Sequence, residues 1–199
     1  MFQNNICFDG SHTKMESLPE SVRQIIQTHL AKYNIILNVV PPRATKMGDW
    51  RFKDGRHIIT VNGGNTMYQF LLTLVHEIAH AYTWEAYQGS VKPHGPEWKG
   101  FYKLLMQPIL TGLLPPEDEQ IIKNYMKNPS ARTTSNTDLL KITAPTSNLV
   151  EDLAVGVYFR VKPGGPEFTK VSKRRTRWVC ADRDGKQFLV SGACKIVSS

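Results

Sequence analysis

The chain has 199 residues, 41% hydrophobic and 21% charged. That is enough for one sizeable domain or a domain with a small appendage, and the charge content is too ordinary for wholesale disorder. The formal net charge is +8, spread unevenly: residues 1–150 carry 15 Lys/Arg against 12 Asp/Glu, and residues 151–199 carry 10 against 5. No apolar run approaches bilayer-crossing length, "MFQNNICFDGSHTK" lacks the basic start and apolar block of a secretory signal, and three scattered cysteines (Cys7, Cys180, Cys194) make no disulfide framework. The expected setting is therefore cytoplasmic and reducing, near the nucleoid if the source is bacterial.

In chain order, "LPESVRQIIQTHLAKYNI" predicts the first helix, with Pro19 in its first turn and Val22, Ile25, Ile26, Leu30 and Tyr33 at helical spacing. "IILNVV", Ile35 to Val40, is β-branched and ends at Pro41-Pro42, which predicts a strand. "WRFKDGRHIITVN" predicts a hairpin turning at Asp54-Gly55. "NGGN", Asn62 to Asn65, reads as turn and cap chemistry, because no lysine follows where a phosphate loop needs one. Asn65 or Thr66 then caps a long helix to about Tyr87, whose stripe is Met67, Phe70, Leu71, Leu74, Val75, Ile78 and Tyr82. After a loop from Gln88 to Pro96, "EWKGFYKLLMQPIL" and "PPEDEQIIKNYMKN" predict two more helices. The latter has proline at its start, acids in its first turn and lysine in its last, as the helix dipole favours.

Composition changes at "PSARTTSNTDLLKITAPTSN", which reads as a linker over 129–150 between a domain of 1–128 and a module of 151–199. The module's texture is β: "AVGVYFRV", "EFTKVS", "TRWVCAD", "KQFLVSG" and "CKIV" are short runs broken by Gly, Pro and Asp-Gly. A small SH3-like barrel of four or five strands is expected there. Lys170, Lys173, Arg174, Arg175 and Arg177 crowd into eight residues beside Trp178, a set that can neutralise phosphates and stack a base. Alternation along a strand would send about half of them to each face. Trp178 also suits a core position, and the cations also suit a solvated turn.

The chemistry concentrates in "VHEIAHAYTWEAYQGSVKPHGPEW". His76 and His80 are four apart and share a helix face, so both imidazoles can reach one ion. Glu77 lies about 100° round the axis, where it can reach a water on that ion without occupying a ligand position. His-Glu-x-x-His is a zinc hydrolase signature, but catalytic zinc takes three protein ligands. His94, 14 residues past His80, follows a glycine-containing loop that can turn the chain back. The alternative is a pair of polar positions on a half-buried helix.

"HEIAHAY", a loop and "HGPEW" together resemble the core of the SprT-like metallopeptidases, the family that includes the Spartan proteases; the likeness extends over roughly residues 17–127. The resemblance implies an α+β fold with a minimal zincin-like core, one zinc on His76, His80 and His94, and Glu77 as general base and acid. It also implies protein substrates bound or crosslinked to DNA. Bacterial relatives of this type commonly add a zinc ribbon with paired Cys-x-x-Cys. Here only Cys180 and Cys194 stand in that region, too few for a tetrahedral site. They are expected as buried strand residues, with no second zinc.

Three function classes remain open at this stage. The first is a zinc peptidase directed to protein–DNA complexes by its basic module. The second is a nucleic-acid-associated adaptor with a structural or weakly active zinc site, which would have no use for Glu77. The third is a zinc hydrolase of non-protein substrates. Glu97 is read either as orienting a ligand histidine or as a first-turn acid.

Overall fold

The computed structural model describes residues 11–43, 46–145 and 148–197, with side chains from Lys14 onward except at 134. The segment read for a secretory signal lies mostly outside the described residues, as does Cys7. The chain divides into two compact units, Met1–Thr133 and Thr134–Ser199. It is a mixed α+β protein. No helix among the described residues is long and apolar enough to cross a membrane.

The first unit carries α1 (Ser11–Glu16), α2 (Glu20–Lys32), β1 (Ile36–Val40), β2 (Gly48–Lys53), β3 (Arg56–Asn62), α3 (Met67–Tyr87), α4 (Pro96–Met106) and α5 (Pro116–Met126). Its sheet runs β1-β3-β2, with β3 parallel to β1 and antiparallel to β2. The hairpin turns where the sequence places it. Asp54 and Gly55 both have positive φ, 51° and 72°, as a two-residue turn between twisted strands requires. β3 is central, and its last four residues are all buried, whereas β2 sits at the edge.

Buried Asn62 ties the crossing from β1 to β2. Its side-chain amide donates to the Arg43 and Lys46 carbonyls (2.7 and 3.3 Å), and its Oδ1 accepts from the Gly64 amide. "NGGN" thus serves as turn chemistry, and Thr66 caps α3 by accepting from the Gln69 amide. α3 is the core of this unit: Phe70 to Ala79 are buried without a break, because the sheet covers one side and α4 another. Tyr102 of α4 donates to the Leu72 carbonyl at 2.9 Å, and Trp98 donates to the His76 carbonyl at 3.3 Å. These bonds and the buried rings of Trp98 and Tyr102 lock α4 against α3.

In the second unit, the stretch read as a linker holds α6 (Thr137–Thr143), capped by the Asn136 side chain, with Leu139 and Leu140 buried. Then come β4 (Tyr158–Phe159), β5 (Phe168–Arg174), β6 (Arg177–Ala181) and β7 (Gln187–Ser191), in one antiparallel sheet of order β4-β5-β6-β7. The expected barrel is corrected: the sheet is open. β4 is only two residues long and pairs with β5 alone, and "CKIV" contributes two isolated bridges (Leu149–Lys195 and Arg160–Val197) instead of a fifth strand. The chain after Val161 runs into Pro163-Gly-Gly-Pro166, which cannot sustain a ladder long enough to close. Val150, Phe159, Phe168 and Cys180 form the buried core of this unit, with Trp178, Val190, Cys194 and Ile196 packed on it.

Candidate metal centre

α3 presents His76, Glu77 and His80 at its middle, where burial is deepest. His94 comes from the loop between α3 and α4. α3 ends at Gln88 in the left-handed conformation, followed by Gly89 at φ 79°, a pair that stops the helix and reverses the chain. His94 itself has φ 58°, uncommon for a residue with a side chain. Gly95 follows it as the cap of α4, and a Cβ there would meet the Lys92 carbonyl at 2.9 Å. Pro96 then starts α4.

The result is a tight cluster of ring nitrogens. Nε2 of His76 lies 3.0 Å from Nε2 of His94 and 3.3 Å from that of His80, and the His80–His94 distance is 3.0 Å. Four donors placed tetrahedrally about 2.0–2.1 Å from one ion are about 3.3 Å apart, so the triangle has the size that zinc requires. These three histidines are the group among the described residues that could hold a metal ion. Burial lowers the His76 pKa to about 2 and that of His80 to about 4, with the neighbouring histidines adding to the effect, and burial lowers His94 as well. All three stay neutral at physiological pH, the state in which an imidazole lone pair can bind a cation. The donor set therefore fits zinc in number, type and spacing.

Glu77 is only 7% exposed. Burial pushes its pKa up to about 8; Asp49 adds to the rise, and Lys46 and Arg43 oppose it. Its carboxyl and the three imidazoles line one cleft of about 580 Å³, with Gly48, Asp49 and Trp50 of β2 on one side and Trp84, Val91 and Trp98 among the other walls. Trp98 packs its ring against all three histidines, at centroid distances of 4.5, 5.5 and 4.7 Å. Trp50 stacks near-parallel on His80 (19°) and donates its indole N–H to His57 Nδ1 at 3.1 Å. His57, buried, meets Glu85 through Nε2 at 2.8 Å. With Nδ1 accepting, the ring proton of neutral His57 is on Nε2 and is donated to the carboxylate. The β2 residues were not singled out from the sequence. The available signal was the alternation Gly48, Trp50, Phe52, which puts all three on one strand face.

Tyr82 is core: its hydroxyl meets His29 Nδ1 at 2.8 Å and its ring packs on Tyr33 and Phe101. Glu97 stands in the first turn of α4 with its carboxylate beside Gly95, and among the described residues no hydrogen bond joins it to a histidine.

The five cations near Trp178 do not form one surface, and Lys170 is a correction. It is 1% exposed, its ammonium donates to the Glu151 and Leu153 carbonyls (3.0 and 2.5 Å), and it sits 3.5 Å from the Trp178 ring centre. A bulge between Lys170 and Ser172 in the β5–β6 pairing breaks the simple alternation. Lys173 is bound to Glu151 at 2.5 Å, and that carboxylate also accepts from Trp178 Nε1 at 2.8 Å. Arg174, Arg175 and Arg177 remain exposed at the β5–β6 turn, where Arg175 has φ 52°. Cys180 is buried on β6, as expected of a strand residue, and Cys194 is half-buried beyond β7.

Residues 27–115 match the model of the SprT-like family, the family that the motif resembles. The matched segment runs from the middle of α2 to the start of α5 and contains the whole histidine cluster. Comparison with curated proteins and with solved structures gives no match.

Proposed function

We propose that the protein is a zinc-dependent metallopeptidase acting on proteins bound or crosslinked to DNA. The observation that carries this reading is the convergence of three neutral imidazoles, at the spacing zinc requires, beside a buried carboxyl that ligates nothing. The match to the SprT-like family over the same residues supports it.

His76, His80 and His94 would hold one zinc. The metal, when bound, supplies Lewis acidity toward a peptide carbonyl and toward water. Glu77 takes a proton from the attacking water and returns it to the leaving amine. Its burial beside the three imidazoles keeps the carboxyl within the cleft for both halves of that task. Trp98 and Trp50 pack on the ligand rings and restrict their rotation, so the imidazoles are held in place before metal arrives.

In the second unit, Arg174, Arg175 and Arg177 are proposed to contact DNA phosphates and bring the peptidase to DNA-bound substrates. The set is smaller than the sequence suggests, because Lys170 is buried and Lys173 is paired. The test is a metal analysis of the purified chain together with cleavage of a DNA-binding protein, alone and on single-stranded DNA. The reading expects about one zinc per chain and cleavage that rises with DNA. Absence of zinc, or a zinc-loaded protein that cleaves no protein under either condition, would overturn it.

A further inference from the structure

β2 meets α3 through alternate residues. Gly48, Trp50 and Phe52 share one face of the strand, and Thr73, Glu77, His80 and Trp84 recur at helical spacing along α3. Two of the strand residues contribute large rings: Trp50 packs on His80 and Trp84, and Phe52 packs on Trp84. The third contributes nothing but backbone. A Cβ built on Gly48 would stand 2.5 Å from Thr73 Cγ2, 2.7 Å from Glu77 Oε1 and 3.0 Å from Glu77 Cγ. Gly48 is not among the residues with positive φ, so its backbone conformation is open to any residue and does not require glycine. What requires glycine is the space that a side chain would fill, and the Glu77 carboxylate occupies it.

We propose that Gly48 is a positioning residue for Glu77: the missing side chain at the start of β2 creates the slot that holds the carboxylate beside the three imidazoles. The inference rests on reading Glu77 as the proton-transferring group. The slot has a floor and a wall. Thr73, one turn before Glu77 on α3, presents its methyl to the same point, and the Gly48 backbone is fixed through its pairing with Val61 of central β3. An added Cβ meets both side chains, and because β-branched Thr73 is stiff on a helix, the longer Glu77 side chain is the one to yield. A misplacement of about 1 Å in a group that must meet a reacting atom can cost on the order of 10²-fold in rate. The atoms nearest the built Cβ belong to Thr73 and Glu77 and none to a histidine, so metal binding should be spared.

The test uses the full chain carrying Gly48→Ala, with Gly48→Ala/Thr73→Ser as a second variant that removes the nearest methyl and guards against a fold too strained to study. Crystal structures report the carboxylate, metal analysis reports zinc, and steady-state kinetics report kcat and KM separately. The expected result is a Glu77 carboxylate displaced by about 1 Å or more in Gly48→Ala, unchanged zinc content, unchanged KM and a kcat reduced at least tenfold. In the double variant the carboxylate should return toward its original place. A carboxylate that stays in place in both variants, or a kcat that matches wild type, would overturn the proposal. The crystallographic arm decides the slot even if the wild-type protein proves to have no peptidase activity, so failure of this inference and failure of the functional reading can be told apart.

Discussion

The candidate metal centre and the basic turn are both clusters of like residues, yet they are built in opposite ways. His76, His80 and His94 converge on one point because two share a face of a buried helix and the third comes from the loop that reverses the chain after it. Lys170, Lys173, Arg174, Arg175 and Arg177 are closer in sequence but diverge in space. One is buried against carbonyls and an indole, one is exposed but paired with Glu151, and three more are exposed. Proximity in sequence predicts a site only where the local backbone period brings the side chains to one face. Four-residue spacing on a helix does so, whereas a bulged strand pair distributes its side chains.

The sharpest way to press this contrast is to remove the acid at the metal centre and leave its shape. Glu77→Gln should retain zinc and lose activity by about 10²-fold or more; a variant that cleaves at the wild-type rate would show that the convergence serves another purpose. Removing one converging ligand comes next. His94→Ala leaves two imidazoles from a single helix, and zinc affinity should fall by well over tenfold in a competition titration against a chelator. Full occupancy in that variant would take the loop out of the ligand set.

The basic cluster yields smaller effects, and the contrast predicts that they split by residue. Lys170→Met strips donors from two carbonyls and should destabilise the second unit by about 1–3 kcal/mol in a denaturant titration, without altering the salt dependence of DNA binding. Replacing Arg174, Arg175 and Arg177 together should do the reverse. Stability should hold, and the slope of log affinity against log salt should flatten by up to about three units, roughly one per phosphate contact. Lys173→Ala should give less than any one arginine replacement, because its pairing with Glu151 offsets part of its charge. Equal slope changes for Lys170 and Arg177 would show that the sheet does not sort these cations as described.

Much of the first unit was legible from local chemistry. The two-residue turn at Asp54-Gly55, the cap at Thr66 and the apolar stripe of α3 are short-range signals, and each appears where its residues dictate. The histidine cluster was legible only as spacing plus resemblance, since nothing local to His94 says which way it points. Its positive φ and the close approach of Gly95 to Lys92 are consequences of packing. Trp50, His57 and Glu85 were not legible as a chain, because they come from two strands and a helix and meet only through tertiary contact. The open sheet of the second unit was misjudged for a related reason. Five β-like runs count as strands in a pattern, but closure depends on ladder length, and β4 is two residues long. The helix α6 hid in a segment of Ser, Thr and Asn because its apolar part is confined to Leu139, Leu140 and Ile142.

The central claim is that His76, His80 and His94 bind one zinc through nitrogen and leave a position open for chemistry. X-ray absorption at the zinc edge on the zinc-loaded chain tests this most directly. Three imidazole nitrogens at about 2.0–2.1 Å with a further light oxygen ligand and no sulfur are expected. Sulfur scattering at about 2.3 Å would place the metal on cysteine instead and remove the histidines as its ligands.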